Sequence, residues 1–336
     1  MGVRIQDVAD AAGVSMKTVS RVLNNEPNVR SDTRRRVEEA MASLQYRPNH
    51  CARSLAGQRS FVVTLAYDNP SRNYLMEIQS GVLEACRAHN YNLLLAPVSY
   101  GRAGCIDEII AVVEHSGSDG VILVPPLTDN AELLAHLQQH RIPSASISPR
   151  IQEGRIGATV DEPTAVRDLM ASLIGLGHRR IAHIKGHPDH GACAWRHSGY
   201  RFALEQAGIA YDPALVVEGE FTFESGIAGA RKLLDMARPP TAIFAANDDT
   251  AAGVLRVAGE RALSVPRDLS VFGFDDTPIS RHVYPALSTV HQPTRDMGRM
   301  ATLELLAHIR NGSSGRMLHM PYTLKLRESI APPRAP

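Results

Sequence analysis

Apolar residues at the start of the chain recur every three or four positions, a spacing that predicts two short helices with one buried side each. The buried side of the first helix comprises Ile5, Val8, Ala9 and Ala12, and that of the second comprises Val19, Val22 and Leu23. Between them, Gly13 permits the backbone of a sharp turn, and the Ser15 hydroxyl can cap the second helix. The pattern indicates a helix-turn-helix whose second helix exposes Met16, Lys17, Thr18, Ser20 and Arg21.

From residue 61 onward the pattern changes to short, continuous apolar segments that alternate with amphipathic ones. The sequence predicts strands at 61–67, 92–98, 121–124, 144–147, 181–185, 214–217, 242–246 and 270–274. It predicts helices at 75–89, 108–115, 131–140, 163–175, 196–207, 224–236, 249–261 and 296–309. Apolar strands that are each followed by a helix favour parallel sheets covered on both faces. The predicted fold is an all-α helix-turn-helix head followed by an α/β body, in which two parallel-sheet units meet near residues 159–161.

The segment between head and body has the features of a short conditional helix. Pro48 suits the first turn of a helix, and Gly57 suits its end. A helix of this length is marginal in water, so it should be ordered only when something holds it. We expect this segment to act both as a linker and as a switch.

Polar residues follow several of the predicted body strands. The first strand is followed by Asp68 and Asn69, and later strands are followed by residues 186–190, Asn247 to Asp249, and Asp275 with Asp276. In open parallel sheets, ligands bind beyond the carboxyl ends of the strands. Carboxylates and amides pair with hydroxyl groups, and an aromatic ring such as Phe221 or Tyr74 can cover the apolar face of a sugar. A sugar site is therefore predicted, although Asp and Asn at strand ends also cap helices and form turns.

Charge is divided unevenly along the 336 residues. Residues 1–60 carry ten Lys and Arg against six Asp and Glu, whereas the remaining 276 carry 26 against 29. A basic head on a slightly acidic body favours a polyanionic partner for the head and a neutral small-molecule or protein partner for the body.

The cysteines and histidines indicate no metal site, cofactor or catalytic centre. The four cysteines, Cys51, Cys86, Cys105 and Cys193, have no CxxC spacing and are expected to be reduced thiols. Four histidines, His178, His183, His187 and His190, lie close together in the sequence, but no HExxH motif is present. No signal peptide is recognised and no apolar run approaches the roughly 18 residues of a membrane span, so we expect a cytoplasmic protein with no membrane partner.

Several motifs together resemble the lactose-repressor/galactose-repressor (LacI/GalR) family of bacterial transcription regulators, from Ile5 to about Leu326. In the head, they are Asp7-Val-Ala-Asp-Ala-Ala-Gly-Val-Ser15, Thr18-Val-Ser-Arg-Val-Leu-Asn24 and Tyr46-Arg-Pro-Asn49. In the body, they are Leu176-Gly-His-Arg-Arg-Ile-Ala182, Asn247-Asp248, Ser270-Val-Phe-Gly-Phe-Asp-Asp276 and His291-Gln292-Pro293. A helix-turn-helix alone would be far less specific than this set.

The resemblance implies a homodimeric repressor of carbohydrate utilisation genes that binds a near-palindromic operator in double-stranded DNA. Its body would be a two-lobed, periplasmic-binding-protein-like domain with type I crossover and a small-molecule effector, expected to be a sugar, between the lobes. The implied boundaries are a DNA-binding domain at 1–47, a hinge at 48–58, a first lobe at 59–160 and 293–326, a second lobe at 161–292, and a tail at 327–336.

The resemblance also assigns residues to DNA. Met16, Lys17 and Arg21 would meet base edges in the major groove, although a phosphate contact is the rival role for Lys17 and Arg21. Residues expected to contact the DNA backbone are Thr18, Ser20 and Asn24. Leu55 matches the hinge leucine that the family inserts into the minor groove, and such apolar wedges kink DNA by unstacking a base step. Asn49 and Arg53 are further candidates for minor-groove or phosphate contacts.

In the pocket, Arg196 matches the family's sugar-hydroxyl arginine and Asp275 its acidic partner. The other effector candidates are Asn247, Asp249, Phe221, Gln292, Asp68 and Tyr74. The sequence departs from the family pattern after Asn69-Pro70, where residues 71–73 precede the expected aromatic position. Because this apparent insertion lies at the predicted pocket mouth, the sequence does not identify the effector.

Two other functional classes compete with a regulator. A binding protein for transport would account for the body but not for the basic head. An enzyme would need catalytic or metal-binding groups, for which the four clustered histidines are the only candidates, and they lack a recognisable motif.

Overall fold

The structure, a computed structural model of the chain, describes residues 3–23, 28–46 and 59–334. It divides into two units, Met1–Phe61 and Val62–Pro336. The predicted hinge at 48–58 and the candidate DNA contacts Asn24, Asn49, Arg53 and Leu55 lie outside the described residues.

Among its described residues, the amino-terminal unit has three helices: α1 (Ile5–Ala12), α2 (Met16–Leu23) and α3 (Ser31–Ser43). Gly13 ends α1 in the left-handed conformation, with φ 63°, which a residue without a Cβ adopts most readily. The Ser15 hydroxyl accepts a hydrogen bond from the backbone N–H of Thr18 at 3.2 Å and so caps α2. Val8, Val19 and Val37, one from each helix, are fully buried in a shared core. These features confirm the predicted helix-turn-helix.

The body contains twelve strands and nine α-helices among its described residues. The strands are β1 (Val62–Tyr67), β2 (Asn92–Pro97), β3 (Gly120–Leu123), β4 (Ser144–Ile147), β5 (Ile156–Val160), β6 (Ile181–Ile184), β7 (Val216–Val217), β8 (Ala242–Ala245), β9 (Ser270–Phe272), β10 (Thr289–His291), β11 (Met317–Met320) and β12 (Thr323–Lys325). The helices are α4 (Arg72–Ala88), α5 (Cys105–Ser116), α6 (Ala131–Gln139), α7 (Glu162–Gly175), α8 (Gly191–Gln206), α9 (Phe223–Leu234), α10 (Asp248–Glu260), α11 (Ile279–His282) and α12 (Thr294–Asn311).

Two parallel sheets define two lobes in the body. The sheet of the first lobe has the strand order β11-β5-β4-β3-β1-β2, and that of the second has the order β7-β6-β8-β9. In the first sheet β1 lies between β2 and β3, and in the second β6 lies between β7 and β8. In each sheet, the connection from the second strand to the third therefore crosses over the first strand. Strands β10 and β12 form a separate antiparallel pair. The α/β architecture with parallel sheets is the predicted one.

Helices cover both sheets. In the first lobe, α4 packs against α12, while α5 and α6 contribute to the core against β1 and β3. In the second lobe, α7 and α8 pack together, as do α9 and α10. Among the described residues, no helix combines the length and apolar character needed to cross a membrane.

The chain passes between the lobes three times. It leaves the first lobe between β5 and α7, returns between β10 and α12, and leaves again between β11 and β12. After β11, the side chains of Tyr322, Leu324 and Ile330 pack on the core of the second lobe.

The last described residues are therefore not a free tail. Ser329 is fully buried, and its carbonyl and hydroxyl both bond to the backbone of Val271 in β9. This packing differs from the predicted boundaries, which placed 293–326 in the first lobe and 327–336 in a tail. The physical reason is that apolar residues beyond β11 complete the second-lobe core.

The α4–α12 contact predicts the effect of a single methyl group. A Cβ at Gly81 of α4 would lie 1.9 Å from the carbonyl oxygen of Arg295 in α12. We expect Gly81→Ala to lower the free energy of unfolding by about 1–3 kcal/mol, because the helices must separate. Gly259→Ala is the matched control, since a Cβ there meets nothing within 4 Å and alanine favours the helix. Urea unfolding of both variants tests this, and equal stability of the two would contradict the close approach.

Candidate functional site

A pocket lies between the two lobes, with an empty volume of about 420 Å³ that includes space open to solvent. It is lined by Asn69, Tyr74, Pro125 and Ser148 from the first lobe and by Glu162, His190, Ala192, Arg196, Phe221 and Asp275 from the second. Several of these residues follow the carboxyl ends of strands, which is where open parallel sheets bind ligands. The pocket therefore lies at the edge that the polar strand ends predict.

Arg196 is the charged centre of the pocket and is only 4% exposed. Its Nε donates to Glu162 Oε2 at 2.7 Å, its Nη1 donates to the carbonyl of Ala246, and its Nη2 lies 3.4 Å from Asp275 Oδ1. The guanidinium carbon is 3.7 Å from the centroid of the Phe274 ring. A buried charge without partners would be costly, and these contacts hold the guanidinium in one orientation.

Asp275 faces Arg196 from the end of β9. Burial raises the pKa of its carboxyl to about 7, while Arg196 and a hydrogen bond from Gln292 oppose the rise. Gln292 Nε2 donates to Asp275 Oδ1 at 2.6 Å, and Gln292 Oε1 is buried without a hydrogen-bond partner among the described residues. Asp275 has a φ of 106°, a conformation rare for residues with a Cβ. The backbone of Asp275 is thus strained, and its carboxylate is held in a preorganised position.

Aromatic side chains form apolar walls around these charges. Tyr74 is 8% exposed and Phe221 is 6% exposed. The Phe221 ring lies over Gly186, where a Cβ would meet the ring at 2.0 Å. His190 packs 5.4 Å from Phe221, centroid to centroid, and burial lowers the pKa of its imidazole to about 3. Burial, with Asp275 and Glu162 nearby, raises the pKa of Tyr74, so both rings are uncharged at neutral pH.

Three predicted ligand residues have other partners instead. Asn247 caps α10 through the N–H of Thr250 at 2.9 Å and donates to the carbonyl of Phe221 at 2.9 Å. Asp68 accepts a hydrogen bond from the backbone N–H of Tyr100 at 2.6 Å. None of Asn247, Asp68 and Asp249 lines the pocket, and neither does Gln292, which contacts Asp275 from outside the lining. Asn247 and Asp68 therefore have the alternative role of polar residues at strand ends, which is to cap helices and form turns.

Asp249 instead connects the lobes. Its Oδ2 accepts a hydrogen bond at 2.9 Å from the hydroxyl of Ser71, which immediately precedes α4. A second connection runs from Arg150 Nη2 to the carbonyls of Pro188 and Asp189, at 3.2 and 3.1 Å. The 71–73 segment thus forms the start of α4 and contributes a hydrogen-bonded tie between the lobes.

The sequence did not single out Glu162 or Ser148 as ligand residues, and it included His190 only as part of the polar segment 186–190. Glu162 begins α7 next to Pro163 and has the sequence features of an ordinary helix start. Ser148 follows β4, so the same strand-end rule could have identified it. His190 is one of the four histidines clustered in the sequence, and its ring forms part of the pocket wall.

On the head, α2 presents the predicted reading residues. Met16, which is 48% exposed, and Lys17 and Arg21 are exposed on this helix, whereas Thr18 and Ser20 are half-buried. The Thr18 hydroxyl lies 3.0 Å from that of Ser15 and so belongs to the helix cap. The arrangement leaves an exposed face with two basic side chains and one apolar side chain.

Comparison with known proteins links both units to one family. The model of bacterial regulatory proteins, lacI family, matches residues 4–49, and that of the periplasmic binding protein-like domain matches residues 170–330. The chain is 34% identical to catabolite control protein A of Priestia megaterium over 98% of this chain and 99% of that protein. It is 32% identical to the ribose operon repressor of Haemophilus influenzae, over 97% and 98%.

Solved structures agree with these relatives. The transcriptional regulator CelR in complex with cellobiose superimposes with a TM-score of 0.74 at 33% identity, over 97% of this chain and 99% of that one. The lac repressor dimer bound to operator and the anti-inducer ONPF gives 0.78 at 27% identity, over 98% and 100%. The chain therefore belongs to the lacI family of bacterial regulatory proteins, which are DNA-binding regulators of transcription and not enzymes.

Proposed function

We propose that the protein is a dimeric transcriptional repressor of carbohydrate utilisation genes whose affinity for its operator is set by a sugar bound between the lobes. The observation that carries this proposal is the buried Arg196, held between Glu162 and Asp275 in a pocket with aromatic walls. Such a site offers fixed hydrogen-bonding groups and apolar surface together, which suits a polyhydroxylated ring. The similar CelR structure contains cellobiose, which supports the same ligand class here.

Charge balance supports a neutral ligand over an anionic one. The Arg196 guanidinium already has two carboxylates within 3.4 Å, so a phosphate or carboxylate on the ligand would add to an existing excess of negative groups. Hydroxyl groups, by contrast, can donate to the Asp275 carboxylate, which lines the pocket. The expected ligand is an uncharged sugar, and sugar phosphates are expected to bind poorly.

Regulation requires that the ligand favour one arrangement of the lobes. Pocket residues come from both lobes, so a bound sugar would stabilise the closed arrangement by contacting both. We propose that this bias decides whether the 48–58 hinge helices of a dimer form on DNA and place Leu55 in the minor groove. A coupling of about 1–3 kcal/mol would be typical.

DNA recognition is assigned to α2. We propose that Met16, Lys17 and Arg21 approach base edges in the major groove, while Thr18, Ser20 and Asn24 fix the backbone and Asn49 and Arg53 contact the minor groove or phosphates. The similar lac repressor structure is a dimer bound to operator, which supports a near-palindromic site here. A protein with this role would work in the cytoplasm, where the bacterial chromosome lies.

Substitutions on α2 test the DNA assignment. We expect Arg21→Ala to weaken binding to an operator selected from random DNA by about 1–3 kcal/mol, because a base contact is lost. If Lys17 contacts a base, Lys17→Ala should relax the preference for that base. If it contacts a phosphate, the variant should bind all DNA sequences more weakly, and the slope of log affinity against log salt concentration should decrease in magnitude by about one. Fluorescence anisotropy at several salt concentrations measures both. Arg256→Ala, at an exposed position in the body, is the control, and a loss as large as that of Arg21→Ala would contradict the assignment.

Substitution of Arg196 tests the pocket. Arg196→Ala should abolish the response of operator binding to the active sugar while DNA binding persists, because the ligand loses its fixed donor. The change leaves Glu162 and Asp275 without their cation, which can destabilise the fold; Arg196→Lys is the second variant, with charge retained and planar geometry lost. Gel shifts with a panel of mono- and disaccharides and their phosphates provide the measurement. A normal sugar response in both variants would exclude Arg196 from the site.

The pKa of Asp275 predicts a pH-dependent contribution to stability. Because this pKa is raised from 3.8 to about 7 on folding, the folded protein binds the proton more tightly, and the contribution of Asp275 declines as pH rises from about 4 to 7. Asp275→Asn removes this decline, so its unfolding free energy should increase relative to wild type across that range. Urea unfolding at several pH values tests the trend, with exposed Asp235→Asn as the control. A difference that stays constant with pH would mean that Asp275 ionises normally.

A further inference from the structure

Two helices on one face of the first-lobe sheet bring three metal-binding side chains together. Glu114 comes from α5 and His136 from α6, and His140 follows the last residue of α6. One ligand atom from each of the three lies within 4.8 Å of the others. None of them lines the pocket between the lobes, so the proposed function makes no use of this cluster.

The distance between the first two ligand atoms fits a metal ion. His136 Nε2 lies 3.3 Å from Glu114 Oε1, and two ligands bound tetrahedrally at about 2.0–2.1 Å are separated by about 3.3 Å. His136 Nε2 is shielded from solvent and has no hydrogen-bond partner among the described residues, because the contact with Glu114 lacks hydrogen-bond geometry. A buried ring nitrogen of this kind needs a partner, and a cation in front of it would supply one.

His140 is already oriented for coordination. Its Nδ1 lies 3.0 Å from the carbonyl oxygen of His136. A carbonyl only accepts, so Nδ1 carries the hydrogen and Nε2 carries the lone pair. Metal-bound histidines are commonly fixed in this way, by a hydrogen bond from the other ring nitrogen to a carbonyl. The His136 and His140 rings stack with centroids 4.0 Å apart, and histidines four positions apart on a helix are a recurrent zinc-binding pair.

We propose that Glu114, His136 and His140 form a zinc site that joins α5 to α6. Two imidazole nitrogens and one carboxylate oxygen match the ligands of Zn²⁺, whereas Mg²⁺ and Ca²⁺ are held by oxygen ligands. Three protein ligands leave a fourth position for water. The sequence does not indicate this site, because Glu114 lies on a different helix from the His136–His140 pair and is distant from it along the chain.

Two histidines of the 178–190 group, His178 and His183, have other partners. His178 bonds through Nδ1 to Thr241 and through Nε2 to Ser270 and Ala331. His183 bonds to the carbonyl of Phe244, against whose ring it stacks. Both histidines therefore have structural partners within the second lobe.

Zinc titration of the full-length protein tests the proposal. After metal removal with a chelator, Zn²⁺ is added in competition with a chromophoric chelator, and the unfolding temperature is measured with and without zinc. We expect wild type to bind one equivalent at this site and to unfold at a higher temperature with zinc. Glu114→Gln and His140→Gln should each weaken this binding by at least about tenfold and lose the thermal shift.

His115→Gln is the matched control, because His115 neighbours Glu114 on α5, is exposed, and is not part of the cluster. It should bind zinc as wild type does. Unchanged DNA binding would verify that each variant is folded. The proposal is overturned if Glu114→Gln and His140→Gln bind zinc as tightly as wild type, or if wild type binds none at micromolar zinc. In either case the cluster is only a surface contact between an imidazole and a carboxylate.

Discussion

The buried guanidinium of Arg196 places a constraint on the whole body, because a charge removed from water must be neutralised by neighbours at fixed positions. Glu162 comes directly after the chain leaves the first lobe, and Asp275 follows β9 and is held by Gln292, directly before the chain returns. The ion cluster is thus attached to two of the connections between lobes. Buried ion pairs contribute little net stability compared with apolar packing, so its position at these connections accords with a role in binding and coupling.

Three residues around the pocket have unfavourable backbone conformations, and a second buried acid, Asp248, fixes the backbone beside two of them. Phe221, Asp275 and Asp276 all have positive φ angles. Asp248 is fully buried and accepts hydrogen bonds from the N–H and hydroxyl of Thr277 and from the hydroxyl of Thr289. These bonds fix the segment that follows Asp276. The second lobe therefore presents a largely preformed half of the site, to which the first lobe adds Tyr74 and Ser148.

Periodicity predicted the head and most of the body correctly, because one-sided helices and continuous apolar strands have distinct patterns. The strands it missed depend on tertiary pairing. In β5, Gly157 lies so close to β4 that a Cβ would meet the Ser146 carbonyl at 1.9 Å, and β11 is a half-exposed segment that pairs with β5 from a distant part of the chain. Neither feature leaves an apolar run in the sequence.

Residue type alone was less informative about which residues line the pocket than periodicity was about the fold. Asp and Asn at strand ends lie at the sheet edge where the pocket is found. Of these residues, Asn247 caps a helix, Asp68 binds the backbone N–H of Tyr100, and Asp249 meets Ser71 of the other lobe. Glu162 was missed because a glutamate at a helix start is common. Only the three-dimensional position of Arg196 distinguishes that glutamate from an ordinary first-turn acid.

The two hydrogen-bonded ties between the lobes, Ser71 with Asp249 and Arg150 with Pro188 and Asp189, are made by residues outside the pocket lining. If lobe separation releases a bound sugar, these ties would contribute to the barrier to its release. They need not contact the ligand to do so. Under the proposed function, substitutions at the ties would change how quickly a bound sugar is released without changing which molecule is recognised.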